Sequence, residues 1–160
     1  MSLGWFLVAA ANAADGPPVV SEMHDRFATL TAARDAVIRG DLAKAKTEGW
    51  KMNIAILDAG GNLKHFSRMD DSFLKSIDIA MIKAQTSAGF PFSTKQIGEI
   101  AATRVPGIAH IPGIATFEGG LPILTGDGKH IGAIGVSGAS AEQDGLCAQA
   151  ALDAVKNDLK

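Results

Sequence analysis

Two glycine-containing turns, each set between strand-like segments, constrain the fold of this chain more than any other feature. The first turn is Asp58 to Asn62 and the second is Gly126 to Lys129. The flanking segments, apolar or alternating apolar and polar, are 52–57 and 63–69 for the first turn, and 121–125 and 130–137 for the second. Glycine next to Asp or Asn supplies the positive φ angles that tight hairpin turns need. The sequence therefore predicts two β-hairpins.

Helical patterns surround these hairpins. Apolar residues recur at helical spacing from Thr31 to Thr47, with Gly49 as a stop, and from Ile77 to Ala88, where both faces are apolar. Two Ser-x-x-Gln capping boxes open further helices: Ser93 with Gln96 opens a helix that runs to Thr103, and Ser140 with Gln143 opens the last one. In the last helix we expect Leu146, Ala150, Ala154 and Val155 to face inward. The fold class predicted is α/β (α+β), with a mainly antiparallel sheet flanked by helices.

Composition narrows the class of protein. A chain of 160 residues, 47% of them hydrophobic, suits one domain with an ordinary core. A formal net charge of −2 argues against a nucleic-acid partner, and no apolar run reaches the length of a membrane span. The single cysteine, Cys147, cannot form an intrachain disulfide, and its helical spacing predicts a core position.

The N-terminal segment is expected to stand apart from the domain. Asp15 to Pro18 interrupts regular structure, so we divide the chain into an arm, 1–20, and a folded domain, 21–160. Trp5 to Ala10 is apolar and Ala11 to Ala13 has the small-x-small form of a signal-peptidase site, although no basic residues precede it. The arm is either the remnant of a signal peptide, which implies export to the periplasm or beyond, or an Ala-rich tail of a cytoplasmic protein.

Several motifs fail the test of their structural context. Gly135 to Ala139 nearly matches the Gly-x-Ser-x-Gly nucleophile elbow, but its fifth residue is wrong and no histidine follows the serine. The glycines Gly132, Gly135 and Gly138 miss the dinucleotide-binding pattern and predict close backbone packing instead. The histidines, His24, His65, His110 and His130, lack the spacing of a zinc site.

Four regions remain as candidates for binding. His110 lies in the Gly/Pro-rich segment Arg104 to Gly119, where an imidazole can be aimed at a cavity, and His65 is a second candidate iron ligand. Arg68, Met69 and Asp70 put a cation, a soft sulfur and a carboxylate together at the end of the first hairpin; the alternative is a salt bridge with a helix cap. The segment with Ser137, Gly138 and Ser140 leads into a helix N-terminus, which favours an anion, or is simply a capped helix.

The ordered series of motifs resembles the GlcG/HbpS family, also known for haem degradation. The resemblance spans about Leu30 to Val155. It is carried by these segments: 56–63, Arg68-Met69-Asp70, 76–80, Lys83-Ala84, Gly119-Gly120-Leu121-Pro122-Ile123 and 131–138. It implies a profilin-like sandwich and a homo-oligomer, with haem as the cofactor. The chain departs from the family where Asp71-Ser72 replaces the usual Gly-Ala.

Three functions are compatible with these residues. The first is a haem-binding protein, with degradative or redox activity a further option, in which Arg68, Gly119, Gly120 and the segment from Ser137 to Ser140 contact the ligand and His110 approaches the iron. The second is an accessory protein of a catabolic pathway that binds an organic acid near Arg68. The third is an oligomeric scaffold without catalysis. The physiological ligand and the reaction are not fixed by the sequence.

Overall fold

The computed structural model describes residues 43–157 and 159. Residues 43–48 are helical and end at Gly49, whose φ is +72°, as the predicted helix stop requires. The strands are β1 (Asn53–Asp58), β2 (Leu63–Arg68), β3 (Gly120–Leu124) and β4 (His130–Ser137). The helices are α1 (Ser76–Gly89), α2 (Thr94–Thr103) and α3 (Ala141–Val155), with a 3-10 helix at Pro106–His110. The expected arm, 1–20, and most of the first predicted helix lie outside the described residues.

The four strands form one antiparallel sheet in the order β2-β1-β4-β3, which confirms the predicted class and both hairpins. The turn glycines Gly61 and Gly128 have φ angles of +78° and +83°, the conformation that L side chains avoid. Among the described strands, β3 is an edge, and it contains Pro122. The hydroxyl of Thr94 accepts a hydrogen bond from the Gly120 N–H at 3.0 Å and donates one to its carbonyl at 3.5 Å.

Helices cover both faces of the sheet, as predicted. On one face Ile54, Ile56, Ile134 and Val136 pack with α3 through Cys147 and its neighbours. On the other face Ala55, Leu57 and Ala133 pack with Ala80, Ala84 and Ala88 of α1. These small side chains let α1 lie close to the sheet, and alternate residues of β1 and β4 serve the two cores.

The glycines of β4 confirm the predicted close packing. A Cβ atom added to Gly135 would clash with the Ala80 carbonyl and the Ala84 N–H of α1. At Gly132 and Gly138 the clash would be with the backbone of Leu57 and Lys51. Glycine at these positions lets backbones approach each other and supports no nucleotide-binding loop.

Both predicted capping boxes are present. Ser93 Oγ accepts from the Gln96 N–H and Ser140 Oγ accepts from the Gln143 N–H, and each glutamine side chain returns a bond to its cap. The predicted inward face of α3 is only partly correct. Val155 is buried, but Leu146 is 55% exposed and Ala154 is exposed. The buried residues are Asp144, Cys147, Ala148, Ala151 and Val155.

Candidate functional site

A buried ion pair joins α1 to the start of α3. Lys83 Nζ lies 2.6 Å from Asp144 Oδ2 and donates to the Val136 carbonyl at 3.0 Å. The Lys83 side chain is 0% exposed, and its ammonium lies 4.8 Å from the centre of the Phe117 ring. Asp144 Oδ1 accepts from the Ala139 N–H at 3.0 Å. Every charged atom of the pair therefore has a partner, which a buried charge requires.

Burial acts on both members of this pair. It lowers the pKa of Lys83, because an ammonium loses hydration, while Asp144 and Glu118 oppose the change. Burial also raises the pKa of Asp144, against the effect of Lys83 and of the backbone N–H groups of Ala139 and Gly138. The short contact and the hydrogen bonds indicate that both residues are charged. Each charge stabilises the other, and this offsets the hydration that both lose on burial.

The Gly119-Gly120 segment is shaped around this pair. Gly119 has a φ of +120°, and a Cβ there would clash with Lys83 Nζ, the Val136 carbonyl and the Asp144 side chain. A Cβ on Gly120 would clash with Thr94, the Lys83 carbonyl and Ser87. These two predicted ligand-binding glycines therefore surround Lys83, and they also line a groove beside β3.

That groove, here the β3 groove, has a volume of about 390 Å³. It is lined by Ser93, Lys95, Glu118, Gly119, Gly120, Leu121, Glu142, Gly145, Leu146 and Gln149. Lys95 and Glu118 form an ion pair across it, and this pairing raises the pKa of Lys95. Glu118 also rests against Gly145 of α3. The groove is thus bordered by opposite charges and by one exposed leucine.

A second groove, here the α2 groove, lies between α2 and the 3-10 helix and has a volume of about 510 Å³. Its lining is Lys95, Gly98, Glu99, Ala101, Ala102, Ala109 and Thr116. Four of these residues are Gly or Ala, which leaves room for a planar ligand, and Lys95 and Glu99 add one charge of each sign. His110, the first candidate iron ligand, is exposed and follows Ala109 of this groove directly in the chain, but it is not among the residues that line the groove.

Arg68 ends β2 and is held in a separate turn. Its Nε donates to Ser72 Oγ and its Nη2 to the Ser72 carbonyl, both at 3.3 Å. Met69 Sδ lies 3.5 Å from the Met52 N–H, and Asp70 is exposed. Neither Asp70 nor Asp71 caps α1, whose N-cap is Lys75 without a side-chain bond.

The fold does not bring Arg68 next to His110. Arg68 bonds to Ser72, just before α1, whereas the segment that carries His110 is attached near the other end of α1. There the Thr86 hydroxyl accepts from the Ala115 N–H at 2.9 Å and lies 3.4 Å from the Gly113 carbonyl. Ser76 and Thr86 are about 15 Å apart along the helix axis at 1.5 Å per residue. We therefore treat the two regions as separate sites.

The remaining candidates lie on β4, at the start of α3 and on β2. Ser137 is 4% exposed, Gly138 is packed on Lys51, and Ser140 is the α3 cap. Asp144 already supplies an anion to the Ala139 N–H at this helix start. His65 lies on β2 opposite Ile56, on the face that α3 covers, and is half-buried.

The comparisons with known proteins agree with this architecture. The family described as "Haem degrading protein HbpS-like" matches residues 28–153. The chain belongs to the HbpS-like family. It is 37% identical over 136 residues to an uncharacterised 15.0 kDa protein from the dhaT-dhaS intergenic region of Citrobacter freundii, covering 80% of this chain and 93% of that protein. It is 36% identical over 102 residues to protein GlcG of Escherichia coli K12, covering 64% and 75% respectively.

Solved structures give the same result. The complex of PduOC with haem is 31% identical and superposes with a TM-score of 0.72, covering 77% of this chain and 91% of PduOC. The HbpS crystal structure is 30% identical with a TM-score of 0.70, covering 78% and 86%. The predicted GlcG/HbpS family and its α+β fold are therefore confirmed.

The buried Lys83–Asp144 pair brings together two of the motifs that carry the family resemblance. Lys83-Ala84 and Gly119-Gly120 are among the motifs that carried the resemblance, and the structure joins them at one buried point. The spacing of Lys83 and Asp144 alone does not reveal the pair, because the two residues are 61 positions apart and charged residues are normally exposed. The apolar environment of Lys83 within a helix that is apolar on two faces is the one available signal.

The described part of the chain offers neither a cluster of metal ligands nor a membrane-spanning helix. No group of three or more His, Cys, Asp or Glu side chains there could hold a metal ion. No helix within residues 43–157 is long and apolar enough to cross a membrane.

Proposed function

We propose that this HbpS-like protein binds haem. The observation that carries the proposal is its structural match to PduOC in complex with haem, which extends over most of both chains. Membership of a family described as haem-degrading supports it. The alternatives, binding of an organic acid without iron and an inert scaffold, have no comparable support from a relative's ligand.

Of the two grooves named above, the α2 groove fits haem better. Gly98, Ala101, Ala102 and Ala109 have small or absent side chains, against which a planar ring could lie. The exposed His110 follows Ala109 of the groove directly in the chain, and imidazole is a common axial ligand of haem iron. Lys95 at the rim is a cation that already pairs with Glu118, so a carboxylate of the ligand would share it with that residue. Bound haem would supply the redox chemistry of its iron, and these residues would hold and orient it.

Titration with haemin tests the proposal. We expect a saturable change in the Soret band for the parent protein, and a shifted band for His110→Ala because removal of an axial ligand changes the electronic state of the iron. His130→Ala, in the second hairpin, is the matched control and should behave as the parent. A parent protein without a saturable Soret change would overturn haem binding.

The axial ligand is a finer part of the proposal. If His110→Ala binds haem with an unaltered spectrum, the assignment of His110 fails and His65→Ala is the next variant to measure. An oxygen donor such as Thr103, at the end of α2, follows it. These outcomes separate the identity of the ligand to iron from the binding of haem itself.

We also infer that the protein forms a homo-oligomer. Phe73 and Leu74, which precede α1, are 71% and 74% exposed, and Ile77 and Met81 continue this apolar surface along α1 as half-buried residues. Large adjacent apolar side chains on a surface mark contact sites. Lys75 and Asp78 lie at its rim, so two copies related by a two-fold axis could pair opposite charges.

A further inference from the structure

A polar cluster lies at the end of the sheet where α1 begins, away from the α2 groove. It consists of Asn53, Arg68, Ser72, Ser76 and Ser137. Asn53 of β1 pairs with Arg68 on one side and with Ser137 on the other, so the three form a row across the sheet. Paired residues of neighbouring antiparallel strands project from the same face. That face is the one covered by α1.

The carboxamide of Asn53 is the unusual member of the cluster. Asn53 is 0% exposed, and its Oδ1 accepts from Ser72 Oγ at a long 3.4 Å. Its Nδ2 atom is buried and has no hydrogen-bond partner among the described residues. Because buried polar atoms are nearly always satisfied, an unsatisfied donor calls for an acceptor. The contact of Oδ1 with Ser72 directs this carboxamide toward the Arg68 turn.

Arg68 adds a positive charge whose present partners are neutral. Its guanidinium donates to the hydroxyl and carbonyl of Ser72, and no ion pair involves it among the described residues. The turn that holds it is well defined. The Met69 N–H donates to the Met52 carbonyl, the Ser72 N–H donates to the Met69 carbonyl, and Asp71 has a φ of +64°. The guanidinium is therefore positioned before any ligand arrives.

The start of α1 completes the set of donors. No side chain caps this helix, and Ser76 in its first turn is 6% exposed. Ser76 precedes Ala80 by one turn, and Ala80 lies over Gly135, two residues before Ser137. Helical spacing thus places Ser76 on the sheet-facing side of α1, near the row that contains Asn53.

We propose that this cluster binds a small monocarboxylate. The guanidinium supplies one positive charge, the Asn53 amide supplies the unsatisfied donor, and the buried hydroxyls of Ser76 and Ser137 can donate to the remaining lone pairs, while the Ser72 hydroxyl keeps its bond to Asn53 Oδ1. A single cation matches a monoanion, and the exposed carboxylates Asp70 and Asp71 at the turn disfavour a more highly charged ligand. The burial of Asn53 and Ser137 restricts the ligand to a small one.

Titration of the full chain with sodium acetate at constant ionic strength tests this site. The probes are the side-chain NMR signals of Asn53 Nδ2 and Arg68 Nε. We expect saturable shifts of both, and at least a tenfold weaker affinity in Arg68→Met. Arg104→Met, at the end of α2, is the matched control and should bind acetate as the parent does. The absence of saturable shifts, or equal affinity in Arg68→Met and the parent, would overturn the proposal.

Two further measurements test the contribution of single residues and the specificity for carboxylates. Ser137→Ala removes one hydroxyl with little change in volume, so it should fold and should bind acetate more weakly, even if Asn53→Leu fails to fold. Unchanged acetate binding in both variants would contradict the proposed site. Phosphate or chloride that saturates the same shifts as tightly as acetate would refute carboxylate specificity. Because the haemin titration reports on the α2 groove, it should give the same result with and without acetate, so either proposal can fail alone.

Discussion

Lys83 and Asp144 each lose their hydration in the folded chain and recover polar contacts mainly through one another. We expect Lys83→Met and Asp144→Leu each to lower the free energy of unfolding by about 3 to 5 kcal/mol, because each leaves an uncompensated buried charge. The double variant should recover at least half of the summed loss, since no isolated charge remains. Urea unfolding measures all three, and a strictly additive double variant would contradict the role of the pair.

A surface ion pair provides the control for this experiment. Lys75 and Asp78 are in contact at 2.6 Å, but their side chains are 80% and 58% exposed. Lys75→Met should change the free energy of unfolding by less than about 1 kcal/mol, because water solvates the remaining carboxylate. The comparison isolates burial as the cause of the larger effect at Lys83.

Asp58 should make stability depend on pH. Burial alone would raise the pKa of Asp58, but the Asn62 N–H, Lys64 and the Asn62 side chain outweigh it and hold this pKa below 3.8. The stabilisation from the carboxylate is therefore complete above pH 3.8 and is lost as the pH falls through the pKa of the folded state. Asp58→Ala should cost about 1 to 3 kcal/mol at pH 7. Unfolding measured at pH 7 and near pH 2 should show this difference shrinking; a constant difference would be the contrary result.

Among single residues, the sequence predicted those whose conformation is decided locally. The turn glycines and the capping serines act through their own backbone and their nearest neighbours, so the pattern was sufficient. The burial and the contacts of Asn53 and Lys83 depend on strands and helices far away in the chain. The assignments of His110, His65 and Arg68 as ligand contacts remain predictions, although the structure shows where each lies.

At the scale of elements, the contact of α1 with β4 depends on Gly135. Gly135→Ala should lower the free energy of unfolding by about 1 to 3 kcal/mol. The new methyl group would clash with backbone atoms of α1, which would have to move away from the sheet. Gly89→Ala, at the end of the same helix, meets no atom within 4 Å and is the control. Thermal unfolding of the parent and of both variants measures these effects. Equal melting temperatures for the Gly135→Ala and Gly89→Ala variants would show that α1 adjusts without cost.

Sequence patterns predicted the features of the elements that depend on neighbouring residues, and they missed one that depends on a distant residue. Hairpins and the start of each capped helix were predicted correctly because turn chemistry and caps are short-range. The inward face of α3 was not, because the prediction turned Leu146 and Ala154 toward the core. The buried face passes through Asp144, whose charge makes it look like a solvent-facing residue until Lys83 is known to meet it.

For the whole molecule, the exposed apolar surface around Phe73 and Leu74 predicts self-association. Phe73→Asp with Leu74→Asp should dissociate the oligomer, because paired charges would be buried without partners in the contact. Sedimentation velocity at micromolar concentration measures the mass of the parent and the variant. Leu124→Asp, at the end of the edge strand β3, is the control for a general effect of surface charge. A parent that sediments as a monomer would contradict the inference.

The β3 edge has a consequence for how copies of this chain can meet. A strand from another chain would have to hydrogen-bond to the free backbone of β3. Thr94 already occupies both polar groups of Gly120, and Pro122 has no N–H to offer. Repeated pairing of strands from other chains is therefore disfavoured at the β3 edge. This opposes fibre growth when the protein is crowded or partly unfolded. Replacing Thr94 with valine would free the polar groups of Gly120 while preserving the shape of the side chain, and Pro122 alone would then oppose strand pairing at this edge.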